Sequence, residues 1–314
     1  MHKGILFCFV LVVAFTACSE DDATPPTTKD YVAGKNRYTT AMNGDAREYY
    51  VHVPASYDGS APRPVVFMLH GSSGNGEKFY NISGWKELGE KENVLTVFPS
   101  SWRYCITDED GTATTTKWHC FPGSFEFCAG EQPRDDIAFL RRIIEEMKTR
   151  FSVDEQRIYV VGFSNGGQMA FRCAVEMSDV IAAVVQNAGS VADDIIRTPL
   201  RTLPVAIQVG NEDDRFFPSP AALSAFESGL RSIPYFKNVI AVHTGTFQYH
   251  PDFTISGDTN TAMIASFAPL NTGEHRSLNI VLVKDLKHEY PNGTNHWMKG
   301  AERHWEWMKQ FTRP

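Results

Sequence analysis

The segment Ile158-Tyr-Val-Val-Gly-Phe-Ser-Asn-Gly-Gly-Gln-Met169 sets Ser164 between glycines, directly after a run of β-branched and aromatic residues. A serine hydroxyl attacks a carbonyl only when a base takes its proton and a third group orients that base. Small residues at 162, 166 and 167 are what a sharp turn from strand into helix demands. A helix beginning just after the serine would also offer backbone amides to a developing oxyanion. The bland alternative is a hydroxyl in a glycine-rich bend, because Gly-x-Ser-x-Gly is short and recurs by chance. The partners decide between the two.

About fifty residues further on, the run Pro204-Val-Ala-Ile-Gln-Val-Gly210 ends in Asn211-Glu-Asp-Asp214. Asp213 is taken as the acid, with Glu212 and Asp214 as alternatives. The late run Leu278 to Val283 leads to His288, taken as the base; His275, His296 and His304 compete with it, and His304 falls in a closing helix where packing is the simpler role. His288-Glu289 begins like a zinc-binding HExxH, but Asn292 stands where the second histidine belongs and Pro291 breaks the helix. A metalloprotease is excluded on that ground, and neither a metal nor a cofactor is expected. The backbone amides of Ser72, in the turn after His70, and of Asn165 are the candidate oxyanion donors. His70 itself precedes the serine and is read as a structural turn residue.

These residues need elements to hold them. Arg47–Pro54 alternates like a strand. Pro64–His70, Asn93–Pro99, Arg157–Gly162, Val180–Asn187, Pro204–Val209 and Leu278–Val283 are apolar runs of the kind buried on both faces of a parallel sheet. A helix is expected from Asp135-Asp136, with Ile137, Leu140, Ile143, Ile144 and Met147 at helical spacing, another from Ser164 through Cys173, and a closing one over Glu302–Phe311. Residues 100–133 read as loop. Strand alternating with helix predicts an α/β fold with a mostly parallel central sheet in a single domain. Ser164, Asp213 and His288 then each follow a strand, in the order nucleophile, acid, histidine of the α/β-hydrolases.

The chain has 314 residues, 42% of them hydrophobic, and a net charge of −7. Without a basic patch, nucleic acid is not an expected partner. At the N-terminus Lys3, the apolar stretch Ile5–Phe15 and Phe15-Thr-Ala-Cys18 read as a secretory signal resembling a bacterial lipobox, with Cys18 as the lipidated residue. The acidic run Ser19-Glu-Asp-Asp22 resembles the export signal of bacterial surface lipoproteins. The expected organisation is a signal peptide and lipobox over 1–18, a flexible tether over 19–36 and a catalytic domain over 37–314, exported and held to the outer membrane only through lipid, facing outward. Four cysteines remain, with Cys105–Cys120 and Cys128–Cys173 as the expected disulfides.

Several segments fall together in order: Leu69-His-Gly-Ser-Ser-Gly74, Trp118 with Cys120 and Cys128-Ala-Gly130, Asp135-Asp-Ile-Ala-Phe139, Arg157 to Gly167, Ala183 to Gly189, and His288. Over nearly the whole chain after the tether, this resembles the polyhydroxybutyrate depolymerase-like esterases. That group overlaps carbohydrate esterase family 1, with its feruloyl and acetylxylan esterases. The resemblance implies an α/β-hydrolase fold and ester hydrolysis by two-step acyl transfer, with nucleophile, acid and base on Ser164, Asp213 and His288. The family often carries Gly-His-x-Trp-Pro-Gly around the base; here Lys287-His-Glu-Tyr-Pro-Asn-Gly293 stands instead, and Phe127 precedes Cys128. The expected substrate is an ester-decorated polysaccharide losing feruloyl or acetyl groups. Trp102, Trp118, Tyr290 and Trp297 are expected to line its acyl or sugar site. A polyester depolymerase is the alternative within the class; a glycan-binding lipoprotein without catalysis is the alternative outside it.

Overall fold

In a computed structural model of the chain, the described residues are Met1, 30–108, 111–123, 125–191 and 194–314. The chain divides into two compact units, Met1–Asp30 and Tyr31–Pro314, and all the elements below belong to the second. The expected signal, Cys18 and the tether up to residue 29 lie outside the described residues. The tether's end is corrected: Tyr31 rests its ring against Tyr57 and Phe151, and the first strand starts at Gly34 rather than after Asn36.

Strands β1 (Gly34–Met42) and β2 (Asp45–Val53) form an antiparallel hairpin. β3 (Arg63–Leu69) and β4 (Leu95–Pro99) are parallel neighbours joined through helices α1 (Gly76–Ile82) and α2 (Trp85–Glu92). β5 (Trp102–Asp108), β6 (Gly111–Lys117) and β7 (Glu126–Phe127) make a separate small antiparallel sheet. Then follow α3 (Asp136–Arg150), β8 (Val153–Phe163), α4 (Asn165–Glu176), β9 (Ala183–Asn187) and β10 (Val205–Gly210). α5 (Phe226–Ser232), α6 (Pro234–Phe247), the hairpin β11 (Tyr249–Asp258) and β12 (Ala262–Pro269), β13 (Leu278–Val283) and α7 (Gly300–Met308) complete the chain.

The main sheet has ten strands in the order β1-β2-β4-β3-β8-β9-β10-β13-β12-β11. Its centre, from β4 to β13, is parallel, and antiparallel hairpins close both edges. Every residue of β4, β9 and β10 is buried, as strands covered on both faces must be. Alternate side chains feed two cores. Val65, Phe67 and Leu69 pack with α3 and α4 on one face, while Val66 and Met68 pack with α1, α2 and α7 on the other. The connection leaving β3 runs to β4 on one side, and the chain then crosses to β8 on the other. The crevice between the C-terminal ends of β3 and β8 is therefore a topological switch point, where ligand sites form in such sheets.

Residues 100–133 are not the expected loop. The threonine-rich strand Gly111–Lys117 pairs along its length with Trp102–Asp108, a fit that β-branched side chains favour even when exposed. The small sheet overturns both expected disulfides. β5 also pairs with β7, which brings Cys105 beside Cys128: the Cys128 N–H donates to the Cys105 carbonyl at 3.0 Å, and the two residues are disulfide-bonded with Cα atoms 5.4 Å apart. Cys120 and Cys173 are buried free thiols, both pushed up by burial and so inert. At the start of α3 the two aspartates divide the work. Asp135 caps the helix by accepting from the Ala138 N–H at 2.9 Å, whereas Asp136 is fully buried, 2.8 Å from Arg47 and accepting from the His119 N–H.

The disulfide closes a loop with a sequence separation of 23. Replacing Cys105 and Cys128 together by serine should lower unfolding stability by about 3 kcal/mol, measured by urea denaturation of oxidised protein.

Three buried histidines generate a second expectation. His70 and His243 are lowered to about 4 and His304 to about 3, against an ordinary value of 6.5, because burial disfavours the charged ring. The unfolded chain then binds more protons than the folded one as pH falls through 6.5. Their contribution is complete above about pH 7 and is lost progressively towards pH 4, with each histidine adding a slope of up to about 1.4 kcal/mol per pH unit. Urea midpoints at pH 7.5, 6 and 5 should fall steeply, and His304→Gln should flatten the curve.

Candidate active site

Ser164 sits at the switch point, between the last residue of β8 and the first of α4. Its backbone has φ 54° and ψ −120°, a strained conformation for a residue with a side chain. The strain is held from both sides. The Ser164 N–H donates to the Asn187 carbonyl at 2.8 Å, and its own carbonyl accepts from Gln168 at 3.0 Å. A Cβ on Gly162 would fall 1.9 Å from the Gly166 carbonyl oxygen, and one on Gly166 would fall 2.3 Å from the Leu69 carbonyl oxygen. The turn exists only because both positions lack side chains.

Asp213 and His288 come from the loops after β10 and β13, which are tied together. The Asn211 N–H donates to the Val283 carbonyl, the Asn211 side chain accepts from the Asp285 N–H at 2.6 Å, and the Glu212 N–H donates to Leu286. His288 Nδ1 lies 2.9 and 3.0 Å from the Asp213 carboxylate oxygens, and His288 Nε2 lies 2.9 Å from Ser164 Oγ. Asp213 is fully buried and also accepts from the Arg215 N–H. Since a carboxylate only accepts, Nδ1 carries the ring proton and the Nε2 lone pair faces the serine. Asp214 is exposed and Glu212 half-buried, and no hydrogen bond joins either to the ring among the described residues. Of the competing histidines, His275 lies against Phe311, His296 bonds the Lys284 carbonyl, and His304 is enclosed between Tyr290 and Gln208.

A cavity of about 240 Å³ opens over the serine, lined by Ser72, Asn165, Lys117, Phe125, Arg215 and Phe216 with Ser164 and His288. The Ser72 and Asn165 amides have no protein acceptor among the described residues. The loop carrying Ser72 is clamped. His70 donates from Nδ1 to the Gly71 carbonyl and accepts the Ser101 N–H at Nε2, which fixes its neutral form. β6 holds the same loop through Ser73 N–H to the Thr116 carbonyl and Thr116 Oγ1 to the Gly74 carbonyl.

None of the four expected substrate aromatics lines this cavity. Trp118 is fully buried and acts as a bolt: its Nε1 donates to the His70 carbonyl, and its backbone N–H donates to the Asn165 side chain at 2.6 Å. Tyr290 is buried between Trp85 and His304, accepting from one and donating to the other. Trp102 lies beside the guanidinium groups of Arg47 and Arg134. Trp297 is half exposed on a different cavity, with Met298 and Trp307. For Trp118 and Tyr290, burial of the ring and a hydrogen-bonded polar tip fix the position. The wall residues missed from sequence sit beside residues already singled out. Arg215 and Phe216 follow Asp213 in the same turn, and Lys117 precedes Trp118. Phe216 is steadied by Tyr235, stacked at 4.2 Å, whose hydroxyl donates to the Gly189 carbonyl.

Residues 131–235 match the dienelactone hydrolase family model. The chain is 25% identical over 172 residues to feruloyl esterase B of Piromyces equi, covering 54% of this chain and 29% of that one. It is 28% identical over 190 residues to poly(3-hydroxyalkanoate) depolymerase C of Paucimonas lemoignei, covering 60% and 40%. The chain thus spans less than half the length of either relative. In fold it is similar to the acetyl xylan esterase from Aspergillus awamori, with a TM-score of 0.59 at 15% identity over 87% of this chain and 99% of the other. A fluorophosphonate-binding serine hydrolase of Staphylococcus aureus superposes with a TM-score of 0.52 at 10% identity, covering 88% and 98%.

Gly162→Ala should destabilise the protein by about 2 kcal/mol or more, because the added Cβ would overlap the Gly166 carbonyl in the first turn of α4. A lowered urea midpoint with retained far-ultraviolet circular dichroism at zero denaturant is the expected reading.

Proposed function

We propose that this chain, an α/β-hydrolase whose distant relatives are esterases, is a serine carboxylic ester hydrolase acting on short acyl groups carried by polysaccharide. The observation that carries the reading is the unbroken contact from Asp213 through His288 to Ser164 Oγ, at a strained elbow whose cavity also holds the Ser72 and Asn165 amides. His288 takes the serine proton through Nε2 as Oγ attacks the ester carbonyl. The imidazolium formed is stabilised by the buried Asp213 carboxylate. The two amides receive the oxyanion, helped by the positive end of α4. The alcohol leaves with the proton from His288; water then enters, is deprotonated by the same nitrogen and releases the acid.

Cavity size favours a short acyl group. At about 240 Å³ it falls below the range of roughly 300 Å³ upward typical of sites that enclose drug-sized ligands. An acetyl group fits, with the alcohol outside. The feruloyl reading rests on Phe125 and Phe216, two aromatic walls for a flat acyl group. A polyester substrate is less well matched, since serines, amides and two cations dominate the lining. The apolar leader, Ala17-Cys18 and the acidic run behind it support an exported lipoprotein that works at the cell surface.

Purified protein should release acid from 4-nitrophenyl acetate and acetylated xylan faster than from methyl ferulate or polyhydroxybutyrate. Ser164→Ala should lower turnover about a million-fold. Wild-type rates in that variant would overturn the mechanism, and a preference for methyl ferulate would move the assignment to the aromatic acyl group.

A further inference from the structure

A second cavity, of about 480 Å³, lies between α7 and the strands β10, β13 and β12. Among the described residues it shares no lining residue with the cavity over Ser164, and it has about twice that cavity's volume. Val185, Ala206 and Met298 make a buried apolar floor, interrupted by Gln208 and His304. Ile264, Val281 and Trp307 are half-buried walls, and Trp297, Arg303 and Glu306 stand exposed at the mouth. Trp307 is held in place: in the orientation that satisfies both ends of the Asn279 amide, its Nε1 donates to the Asn279 oxygen at 3.1 Å.

Gln208 is the odd member of this floor, an amide in a strand otherwise built of Val205, Ala206, Ile207, Val209 and Gly210. Its bonding is dictated from a distance. The Trp85 indole N–H can only donate, and it donates to the Tyr290 oxygen at 2.8 Å. The Tyr290 proton therefore goes to His304 Nδ1 at 3.0 Å. The neutral ring then carries its hydrogen on Nε2, which faces Gln208 Oε1 at 3.2 Å. Gln208 Oε1 is thus spent, and the other end of the amide, Nε2, is buried with no partner. Asn187, paired with Gln208 in register on β9 and so on the same face, has both ends of its amide buried and unbonded. Buried polar groups without partners are exceptions that call for a ligand or a bound solvent molecule.

We propose that this cavity is a second binding site, which takes a neutral aromatic molecule whose carbonyl or ether oxygen accepts from the Gln208 amide. Its volume falls within the roughly 300–1,000 Å³ typical of small-molecule sites. Other chemistries fit less well. A sugar ring carries hydroxyls all round, and Ala206, Ile264, Val281 and Met298 would leave several of them unbonded. An alkyl chain would leave the Gln208 amide as it is. An ion would lose its water against an apolar floor, and Arg303 and Glu306 at the mouth favour neither sign. The site binds without reacting, since both nitrogens of His304 are spent on Tyr290 and Gln208. It is independent of the chemistry at Ser164.

Heteronuclear NMR of the full, nitrogen-labelled chain tests this with 4-methoxyacetophenone, a neutral ketone that holds no ester bond. The indole N–H signals of Trp297 and Trp307, assigned through Trp297→Phe and Trp307→Phe, should shift on titration with a Kd of about 1 mM. The other four of the chain's six indole signals should move less, Trp118 on the His70 carbonyl among them. Methyl β-xyloside should leave all six in place. Ile264→Trp, which fills the cavity from its half-buried wall, should abolish the shifts. Gln208→Met, which keeps the length and removes the donor, should weaken binding about five-fold. Trp297 and Trp307 signals unmoved up to about 20 mM ketone, as a cavity holding only solvent would give, overturn the proposal. Largest shifts at other indoles, equal binding of the xyloside, or affinity unchanged in a folded Ile264→Trp overturn it too. If far-ultraviolet circular dichroism shows either variant unfolded, the contrast between ketone and xyloside at Trp297 and Trp307 of the wild type decides.

Discussion

Everything at this site depends on one contact between backbones. Gly166 packs against the carbonyls of Leu69 and His70, at a distance that excludes any side chain. That contact sets the start of α4 against the end of β3. It places the strained turn at Ser164 next to the turn that carries Ser72, so that two amides from distant parts of the chain share one cavity. Strain of this kind persists only where the surroundings over-determine it. Here the fixed partners are Asn187 behind the serine and Gln168 ahead of it, each bonded to the serine's backbone.

The acid and base arm is built by a different device. Asp213 and His288 lie on loops after neighbouring parallel strands, β10 and β13, whose register is continuous from Val205 and Leu278 to Gly210 and Val283. Asn211 then stitches the two loops together beyond the last rung. A histidine held this way loses little freedom when it accepts a proton, because its orienting bond to Asp213 is already made. The two halves of the site are thus positioned by separate means, backbone contact for the serine and strand register for its partners. They meet at the bond between His288 and Ser164, with the Phe163 ring packed against the His288 ring.

The buried parallel strands were legible because burial on both faces writes an unbroken apolar run: Pro204–Val209 was expected and Val205–Gly210 is found. Ser164, Asp213 and His288 were legible because each follows such a strand, and the structure places them in contact. The small sheet of β5, β6 and β7 was not. Gly-Thr-Ala-Thr-Thr-Thr-Lys has no apolar face, so its strand character comes from its partner rather than its pattern. The disulfide was misread with it, since the pairing of β5 with β7 brings Cys105 to Cys128. The same holds for the aromatics. Trp118 and Tyr290 look like contact residues by type, but their polar tips are consumed inside the protein. The cavity's walls fall to Phe125, Phe216, Lys117 and Arg215, whose convergence no linear pattern encodes.

The chain closed by Cys105 and Cys128 has a consequence for how the molecule changes over time. Lys117, Trp118 and Phe125 all lie inside that covalent loop, whereas Ser164, Asp213 and His288 lie outside it. The loop is fastened to the rest along residues 115–121: Thr115 and Thr116 on the Ser72 turn, Trp118 and Cys120 on Asn165, His119 on Asp136 and Arg172, and Phe121 against Phe171. A cassette sealed at its base and held through residues 115–121 can be rewritten in its exposed strand without touching the path from Asp213 through His288 to Ser164. Two of the cavity's walls, Lys117 and Phe125, therefore travel on a segment separate from the triad and can change without it, while Arg215 and Phe216 stay tied to the loop that carries the acid.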